Sequence, residues 1–392
     1  MSFLLKVFLL LTLCLSKSTA NSLHTKGTPI LTTENAIKHC DCYLVSGSDP
    51  GYFQHYQLWD FRNAPLPREF KSPGTGTTDD DDHDGDGNSD GDNDDGHKER
   101  RWDDEERILP LSRSPFAKDW MTQTWDRRPV TEKPVPILNS AENVFFARDP
   151  PGVMEKRTGK GIVDGNDTYL VLRTTQLPDH NSAAELESRL TNIYHCSLRI
   201  RFRVLPYNGF ADNESPTAAK AADGGGGSPP AGACAGIFTY NPTTGSESDI
   251  EILTKDPTNI IHYANQPDYD PVTDTSIPGA STIAAIPTPW TEWATHRLDW
   301  LRNVSVWYLN DHVQTTSTYR VPEMPSTLVL NLWSDGGEWS GGLAVGQSVF
   351  LGIEWVQLVY NVSDTSDLRG GSKDKNKRKN HYTECRSPCW VD

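Results

Sequence analysis

The most regular pattern along the chain is a strict alternation of apolar and polar positions. In the segment Ser197-Leu-Arg-Ile-Arg-Phe-Arg-Val204, apolar side chains occupy every second position and serine or arginine the others. Successive side chains of a β-strand point to opposite faces, so this segment predicts a strand with one buried and one polar face. Strand-like runs recur at Tyr52–Phe61, Tyr169–Thr174, Asp249–Leu253, Asn259–Tyr263, Ala294–Trp300, Val304–Leu309, Leu328–Trp333 and Phe350–Tyr360.

Turn-forming residues separate these runs, as at Asn310-Asp311, Gly336-Gly337 and Gly341-Gly342. Helical periodicity is nearly absent. Many short strands joined by turns predict an all-β protein, folded as a two-sheet antiparallel β-sandwich or jelly roll. The 12 Trp and 13 Tyr among 392 residues favour a β-rich protein with an aromatic-lined groove.

Two insertions interrupt the strand pattern. Residues 73–108 carry the run DDDDHDGDGNSDGDNDD and predict a disordered acidic insertion. Residues 211–232 form a second insertion of low complexity. We therefore expect amino-terminal strands of the sandwich in 21–72, the main sandwich domain in 109–366 and a tail with two cysteines in 367–392.

The net charge of -16 comes mostly from the first insertion. Its segment Asp79–Asp95 holds ten Asp, and without them 43 acidic residues face 37 basic residues. One window, Asp80, Asp82, Asp84 and Gly85, imitates a calcium-binding loop, but the twelfth position is Gly91, where a bidentate Glu is required. A solvated acidic segment is the favoured interpretation.

The first twenty residues predict export. A Lys precedes the apolar run Val7–Leu15, and Ser18 and Ala20 suit a cleavage site, so 1–20 read as a signal peptide. We expect a secreted, extracellular or cell-wall protein without a membrane span, because no other apolar run approaches ~18 residues. Four sequons mark candidate glycosylation sites at Asn166, Asn213, Asn303 and Asn361.

Six cysteines remain after the leader: Cys40, Cys42, Cys196, Cys234, Cys385 and Cys389. An even number in an exported chain points to disulfides, whose connectivity cannot be read from sequence. We favour Cys196–Cys234, with Cys40 and Cys42 linked to Cys385 and Cys389. Their spacing does not suit zinc, and we expect no metal and no cofactor.

The segment Glu247-Ser-Asp249-Ile-Glu251 carries the candidate chemistry. In a strand, its three carboxylates share one face, while Ser248 and Ile250 face the other way. Like charges at this spacing destabilise a strand, so stability alone does not account for them and a functional site is predicted. Paired carboxylates are the machinery of glycoside hydrolysis.

The same segment resembles the ExDxE motif of glycoside hydrolase family 16, the β-jelly-roll enzymes that include lichenases, laminarinases and cell-wall transglycosylases. The similarity extends through Glu251–Tyr263, His296–Trp300, Val306–Asn310 and Asn331–Gly342. The run Ala235–Tyr240 departs from the family, because it lacks the Trp-rich stretch that usually precedes the motif.

By position, the resemblance implies that Glu247 is the nucleophile, Glu251 the general acid/base and Asp249 the assisting carboxylate. It also implies sugar-binding roles for aromatic and amide side chains, at Tyr263, Asn265, Asn331, Trp333 and Trp339. His262 would face away from Tyr263, and we expect a structural role for it.

The expected activity is that of a retaining β-glucanase on β-1,3 or β-1,3-1,4 glucan. Two alternatives stay open: a cell-wall transglycosylase that uses the same site, and a catalytically silent glycan-binding lectin. We find no nucleophile elbow, phosphate loop or dinucleotide fingerprint, and no basic aromatic patch for nucleic acid. We expect a monomer whose partner is a β-glucan or related cell-wall polysaccharide.

Overall fold

The computed structural model describes residues 40–47, 52–66, 108–148, 168–206, 228–273, 275–363 and 385–391. The predicted leader, most of the two insertions and the sequons at Asn166 and Asn213 lie outside these residues. Within them, no helix has the length and apolar character needed to cross a membrane.

The described residues form 23 strands. In chain order these are β1 (Cys42–Leu44), β2 (Tyr52–Phe53), β3 (His55–Asp60), β4 (Leu109–Pro110), β5 (Trp120–Thr122), β6 (Asp126–Arg127), β7 (Ile137–Asn139), β8 (Val144–Arg148), β9 (Thr168–Gln176), β10 (Asn181–Ser188), β11 (Ile193–Val204) and β12 (Cys234–Asn241). They continue with β13 (Ser246–Leu253), β14 (Ile260–Asn265), β15 (Tyr269–Asp270), β16 (Thr275–Ser276), β17 (Ser281–Ala285), β18 (Ala294–Trp300), β19 (Ser305–Leu309), β20 (His312–Ser317), β21 (Thr327–Trp333), β22 (Ser348–Val362) and β23 (Pro388–Trp390). Short 3-10 helices span Phe61–Asn63, Leu111–Arg113, Pro115–Lys118 and Ala141–Asn143.

Two antiparallel sheets pack face to face, which confirms the predicted all-β sandwich. The site sheet has the strand order β5-β10-β21-β12-β13-β14-β17. The backing sheet runs β20-β19-β18-β11-β22, and β22 then pairs with β3 along one half and with β9 along the other. Strand β10 joins the two sheets, because its first residues pair with β9 and β7 and its later ones with β21.

The core lies between the sheets and follows the alternation in the sequence. Leu198, Ile200, Phe202 and Val204 of β11 are fully buried against the site sheet. From the site sheet, Ile250 and Ile252 enter the same cluster. Burying an apolar side chain of this size contributes about 1.5–3 kcal/mol, so the period-two pattern fixes which face of each strand looks inward.

Two disulfides join the ends of the described chain. Cys40 is bonded to Cys389 and Cys42 to Cys385, which confirms the predicted link between the first and last cysteine pairs. The cross-links accompany a small sheet in which β23 pairs in parallel with β1, and β1 pairs with β2. The carboxy-terminal segment is thereby fastened beside the backing sheet, where the main-chain oxygen of Val391 accepts a hydrogen bond from Arg199.

The predicted Cys196–Cys234 disulfide is wrong. Both residues are buried free thiols. Cys196 lies on β11 of the backing sheet and points into the core, whereas Cys234 begins β12 of the site sheet and points away from the core, toward Glu251. Side chains on different sheets that point in different directions cannot meet the geometry of a disulfide.

We expect non-reducing peptide mapping to recover Cys40–Cys389 and Cys42–Cys385 as cross-links. Cys196 and Cys234 should react with an alkylating reagent only after unfolding, because the folded chain buries both thiols. Recovery of a Cys196–Cys234 peptide from the native protein would contradict this arrangement.

Candidate active site

The three carboxylates predicted to share a face do so. In the register of β12 and β13, Glu247 lies opposite Tyr240, Asp249 opposite Phe238 and Glu251 opposite Gly236. We call this side of the site sheet the outer face, since the alternate side chains Ser248, Ile250 and Ile252 are buried inward. Glu247 and Glu251 remain partly exposed, and Asp249 between them is only 2% exposed.

Strand register aligns Glu251 with one residue from each of five other strands. Directly paired residues share a face, and the pairs form one row across the sheet: Glu185, Asn331, Gly236, Glu251, His262 and Ile283. With ~4.8 Å between neighbouring strands, the row extends ~24 Å. We call this set the cross-strand row, and it gives the outer face a direction perpendicular to the strands.

Glycine at the centre of the row makes space for its neighbours. A Cβ on Gly236 would stand 2.6 Å from Oδ1 of Asn331. Asn331 can therefore extend over β12 from the next strand, and its side chain also hydrogen-bonds Glu185. Glu185 accepts a second hydrogen bond from the indole nitrogen of Trp125, at 2.7 Å, so one end of the row is a fixed polar cluster.

Trp339 stands at the other side of Glu251, on the loop that follows β21. Its ring packs edge-on against His262, with 5.0 Å between ring centroids, and 38% of the residue is exposed. The buried carboxylate of Asp335 holds the loop in shape, accepting hydrogen bonds from Ser340 and from the main-chain nitrogen of Gly337. Trp339 is thus presented to the outer face by a rigid loop.

The remaining predicted residues divide between the two faces. Asn331 and Trp333 lie on the outer face with the carboxylates, and the guanidinium of Arg127 sits 5.4 Å from the centre of the Trp333 ring.

Tyr263 and Asn265 lie on the inner face, which corrects the sugar-binding roles expected for them. Tyr263 pairs with Ile250, is 1% exposed and packs against Trp307 of the backing sheet. Asn265 accepts a hydrogen bond from Ser248 and donates one to the main chain of Tyr319, so it fastens the inner face.

Two outer-face residues, Glu185 and His262, were not predicted from the sequence to belong to the site. Glu185 belongs to the run Ala184-Glu-Leu-Glu187, in which acidic and apolar residues alternate as they do in β13, so the signal was present. His262 was expected to be structural, and its ring nitrogen does contact Asp256 at 2.7 Å. Its place in the cross-strand row beside Glu251 follows only from the register of β14.

Burial raises the pKa of all three carboxyl groups, and repulsion from neighbouring carboxylates adds to the rise. Burial, and then the charge of Glu251, raise the pKa of Glu247 to about 7, while a hydrogen-bonding contact with Asp249 partly opposes the rise. Burial also raises the pKa of Glu251 to about 7, opposed by contacts with Cys234 and Trp339. The pKa of Asp249 is raised well above its usual range by burial and by both neighbours.

Gln266 holds the central carboxyl, that of Asp249, in place. The side-chain amide of Gln266 donates a hydrogen bond to Oδ2 of Asp249 at 3.0 Å, and the main-chain nitrogen of Gln266 donates to the main-chain oxygen of Glu247. The raised pKa favours the protonated form of Asp249, which can donate a hydrogen bond to Glu247. The trio can thus hold one ionised and one protonated glutamate side by side, as acid and nucleophile chemistry requires.

The sequons that the structure describes lie at two kinds of position. Asn303 is exposed in the turn between β18 and β19. Asn361 lies on β22, and its side chain bridges to the segment before β3 by accepting a hydrogen bond from the main-chain nitrogen of Gln54.

Among the described residues, no cluster of three His, Cys, Asp or Glu side chains is arranged to hold a metal ion.

The Glu251→Gln variant should be more stable than the parent protein at pH 8, by about 1–3 kcal/mol. In the parent protein, the pKa of Glu251 in the folded state lies above its ordinary value of 4.5. The folded parent therefore binds more protons than the unfolded parent between pH 4.5 and about 7. Stability of the parent therefore falls as pH rises through that window, and the uncharged amide removes this fall. Urea unfolding from pH 4 to pH 8 measures the difference.

Glu338→Gln is the matched control for this measurement, since Glu338 lies on the Trp339 loop with its side chain exposed. It should leave the pH dependence of unfolding unchanged. If the free energy of unfolding depends on pH in the same way for Glu251→Gln and the parent, burial does not raise the pKa of Glu251.

Comparison with known proteins finds similarity in sequence to proteins named β-glucanase. No family model matches the chain. The β-glucanase of Bacillus subtilis (strain 168) is 28% identical over 135 residues, which is 32% of this chain and 52% of the relative. The β-glucanase of Bacillus licheniformis is 27% identical over 135 residues, or 32% of this chain and 51% of the relative. The chain spans about half the length of the curated relatives it matches.

Solved structures with a similar fold include the Bacillus licheniformis β-glucanase. Its TM-score is 0.44, and it is 17% identical over 64% of this chain and 96% of that one. A prokaryotic β-1,3-1,4-glucanase (lichenase) derived from a mouse hindgut metagenome has a TM-score of 0.42 and 18% identity, over 63% of this chain and 94% of that one. The chain is similar in sequence to β-glucanases over about a third of its length, which confirms its resemblance to the lichenases of glycoside hydrolase family 16.

Proposed function

We propose that this protein is a retaining endo-β-glucanase that cleaves β-1,3 or mixed β-1,3-1,4 glucan by double displacement. The observation that carries the proposal is the placement of Glu247, Asp249 and Glu251 on one partly exposed strand face, with the pKa of each carboxyl raised. The β-glucanases that the chain resembles support the substrate class.

The reaction uses the two glutamates in turn. The Glu247 carboxylate attacks the anomeric carbon, the bond from that carbon to the glycosidic oxygen breaks, and Glu251 gives its proton to the departing oxygen. Water then attacks the glycosyl-enzyme ester, Glu251 takes a proton from that water, and Glu247 leaves as a carboxylate. In its protonated form, which its raised pKa favours, Asp249 stabilises negative charge on Glu247 at the start and the end of the cycle.

The cross-strand row supplies the path for the polysaccharide. A glucan that lies across the strands passes over Glu185 and Asn331 on one side of Glu251 and over His262 and Ile283 on the other. Ile283 is exposed, whereas the other three side chains are mostly buried. Carboxylate and amide groups can bond sugar hydroxyls, and the exposed rings of Trp339 and Trp125 offer faces for stacking. The ~24 Å length of the row suits an endo-acting enzyme, which binds an internal stretch of the polysaccharide.

Export to the cell exterior or cell wall is part of the proposal. Two disulfides join the ends of the described chain, and such bonds persist in oxidising compartments. The leader-like segment 1–20 is consistent with that route.

Replacing Glu247 by Gln should lower kcat on lichenan and laminarin by more than about 1000-fold, because the amide cannot act as the nucleophile. Binding of the polysaccharide should be preserved. The unfolding midpoint at neutral pH should be equal to or higher than that of the parent, because the uncharged amide removes a carboxyl whose pKa is raised in the folded state. Glu142→Gln, an exposed glutamate in a 3-10 helix, is the control and should retain full activity. Turnover by Glu247→Gln at the parent rate would refute the assignment.

Product analysis of the parent enzyme distinguishes the remaining possibilities. Early products observed by NMR should keep the β-configuration at the new reducing end, as double displacement requires. Shorter oligosaccharides alone indicate hydrolysis, whereas new longer ones indicate transfer to a sugar acceptor. Binding without any cleavage across lichenan, laminarin, xyloglucan and chitin would contradict an enzymatic role.

Activity should decline as pH rises through about 7. Glu251 must hold a proton to protonate the leaving oxygen, and its raised pKa of about 7 places the loss of that proton in the neutral range. The measurement is kcat/KM on lichenan from pH 4 to pH 9. A profile that stays flat up to pH 9 would show that Glu251 does not act as the acid.

A further inference from the structure

A buried free thiol lies beside the proposed acid. Cys234, at the start of β12, is fully buried, and its Sγ lies 3.5 Å from Oε1 of Glu251. The distance is within the range for a hydrogen bond that involves sulfur, with the thiol as donor and the carboxylate as acceptor. The reaction proposed above gives this thiol no part.

Strand register explains why the thiol reaches Glu251. Gly236, directly opposite Glu251, has no side chain, and Cys234 is the next outer-face residue along β12 and therefore the diagonal neighbour. The Glu251 carboxyl can lean across the vacant position toward sulfur. The backbone before Cys234 is fixed as well, since Thr254 accepts hydrogen bonds from the main-chain nitrogens of Gly232 and Ala233.

The thiol at this position is a donor rather than a nucleophile. Burial and the charge of Glu251 raise the pKa of Cys234 well above its usual range, which favours the protonated thiol over the thiolate. A protonated, buried thiol is chemically inert but can still donate its proton in a hydrogen bond.

We propose that Cys234 is a positioning residue, whose thiol donates a hydrogen bond to Oε1 of Glu251 and holds the carboxyl of the acid/base toward the cross-strand row. Trp339 contacts the same carboxyl, so the group is held between a thiol from β12 and an indole from the loop after β21. The inference rests on the role proposed for Glu251 in glucan cleavage.

This contact has a consequence that a purely structural cysteine would not have. A donor stabilises the ionised carboxylate, so the contact lowers the pKa of Glu251 against the larger effect of burial. Removing the donor should raise that pKa further. Glu251 would then keep its proton to a higher pH, and the alkaline limb of kcat/KM would move with it.

The first experiment compares three single variants in the full-length protein. Cys234→Ala removes the donor and should move the alkaline limb on lichenan upward by about 0.5–1 pH unit. Cys234→Ser keeps a donor and should leave the limb at or below its parent position. Cys196→Ala is the matched control, because it removes a fully buried thiol from the core of the backing sheet, away from the carboxylates.

The proposal is overturned if Cys234→Ala leaves the limb in place, if Ser and Ala behave alike, or if Cys196→Ala produces the same shift. A loss of stability in Cys234→Ala without a change of profile also overturns it, since that is the result expected from packing alone.

A second experiment does not depend on glucan cleavage. Urea unfolding of Cys234→Ala, Glu251→Gln and the double variant forms a double-mutant cycle that isolates the contact between the two side chains. The two substitutions should be more strongly non-additive at pH 8, where Glu251 is ionised, than at pH 4.

Additivity at both pH values would overturn the thiol contact, whatever the activity. If the substitutions are non-additive as expected but the parent protein cleaves no glucan, the contact stands and the proposed function fails. The two failures are therefore distinguishable.

Discussion

Repulsion among three carboxylates on one strand face is the constraint on which the site depends. Like charges so close destabilise a strand and, away from water, repel more strongly. Within the part of the chain that the structure describes, no Lys or Arg forms an ion pair with Glu247, Asp249 or Glu251. The trio is instead relieved by retained protons and by neutral donors, among them Gln266 and Cys234.

This choice of neutral partners has a chemical reason. A guanidinium beside the trio would stabilise all three carboxylates in their ionised form and lower every pKa. The acid step needs the opposite, a glutamate that still holds its proton near neutral pH. Amide, thiol and indole donors orient the carboxyls and temper the repulsion, yet they leave the raised pKa values in place.

The sequence was sufficient wherever one strand's own alternation decides the outcome. The period of two predicted the core face of β11 and the shared face of Glu247, Asp249 and Glu251. It was insufficient where the answer depends on how two strands align. Tyr263 was expected to bind sugar, but its partner in the register is Ile250, which faces the core.

The prediction of a Cys196–Cys234 disulfide was wrong for the same reason. The pairing of Cys40 and Cys42 with Cys385 and Cys389 was predicted correctly as a group. Pairing the two remaining cysteines assumed that they meet, whereas Cys234 points outward from the opposite sheet. Which sheet a strand joins, and which way its side chains then point, is set by long-range pairing that the local pattern does not contain.

Gly236 shows how the sheet accommodates a site at its centre. Glycine in a strand interior weakens the strand, because it loses more backbone entropy and packs no side chain. Here the space left by the missing side chain is occupied by side chains from both neighbouring strands. The Asn331 amide extends over it from β21, and the Glu251 carboxyl leans past it toward Cys234. A Cβ at position 236 would displace the Asn331 amide. The missing side chain therefore allows an amide, a carboxyl and a thiol from three neighbouring strands to lie close together.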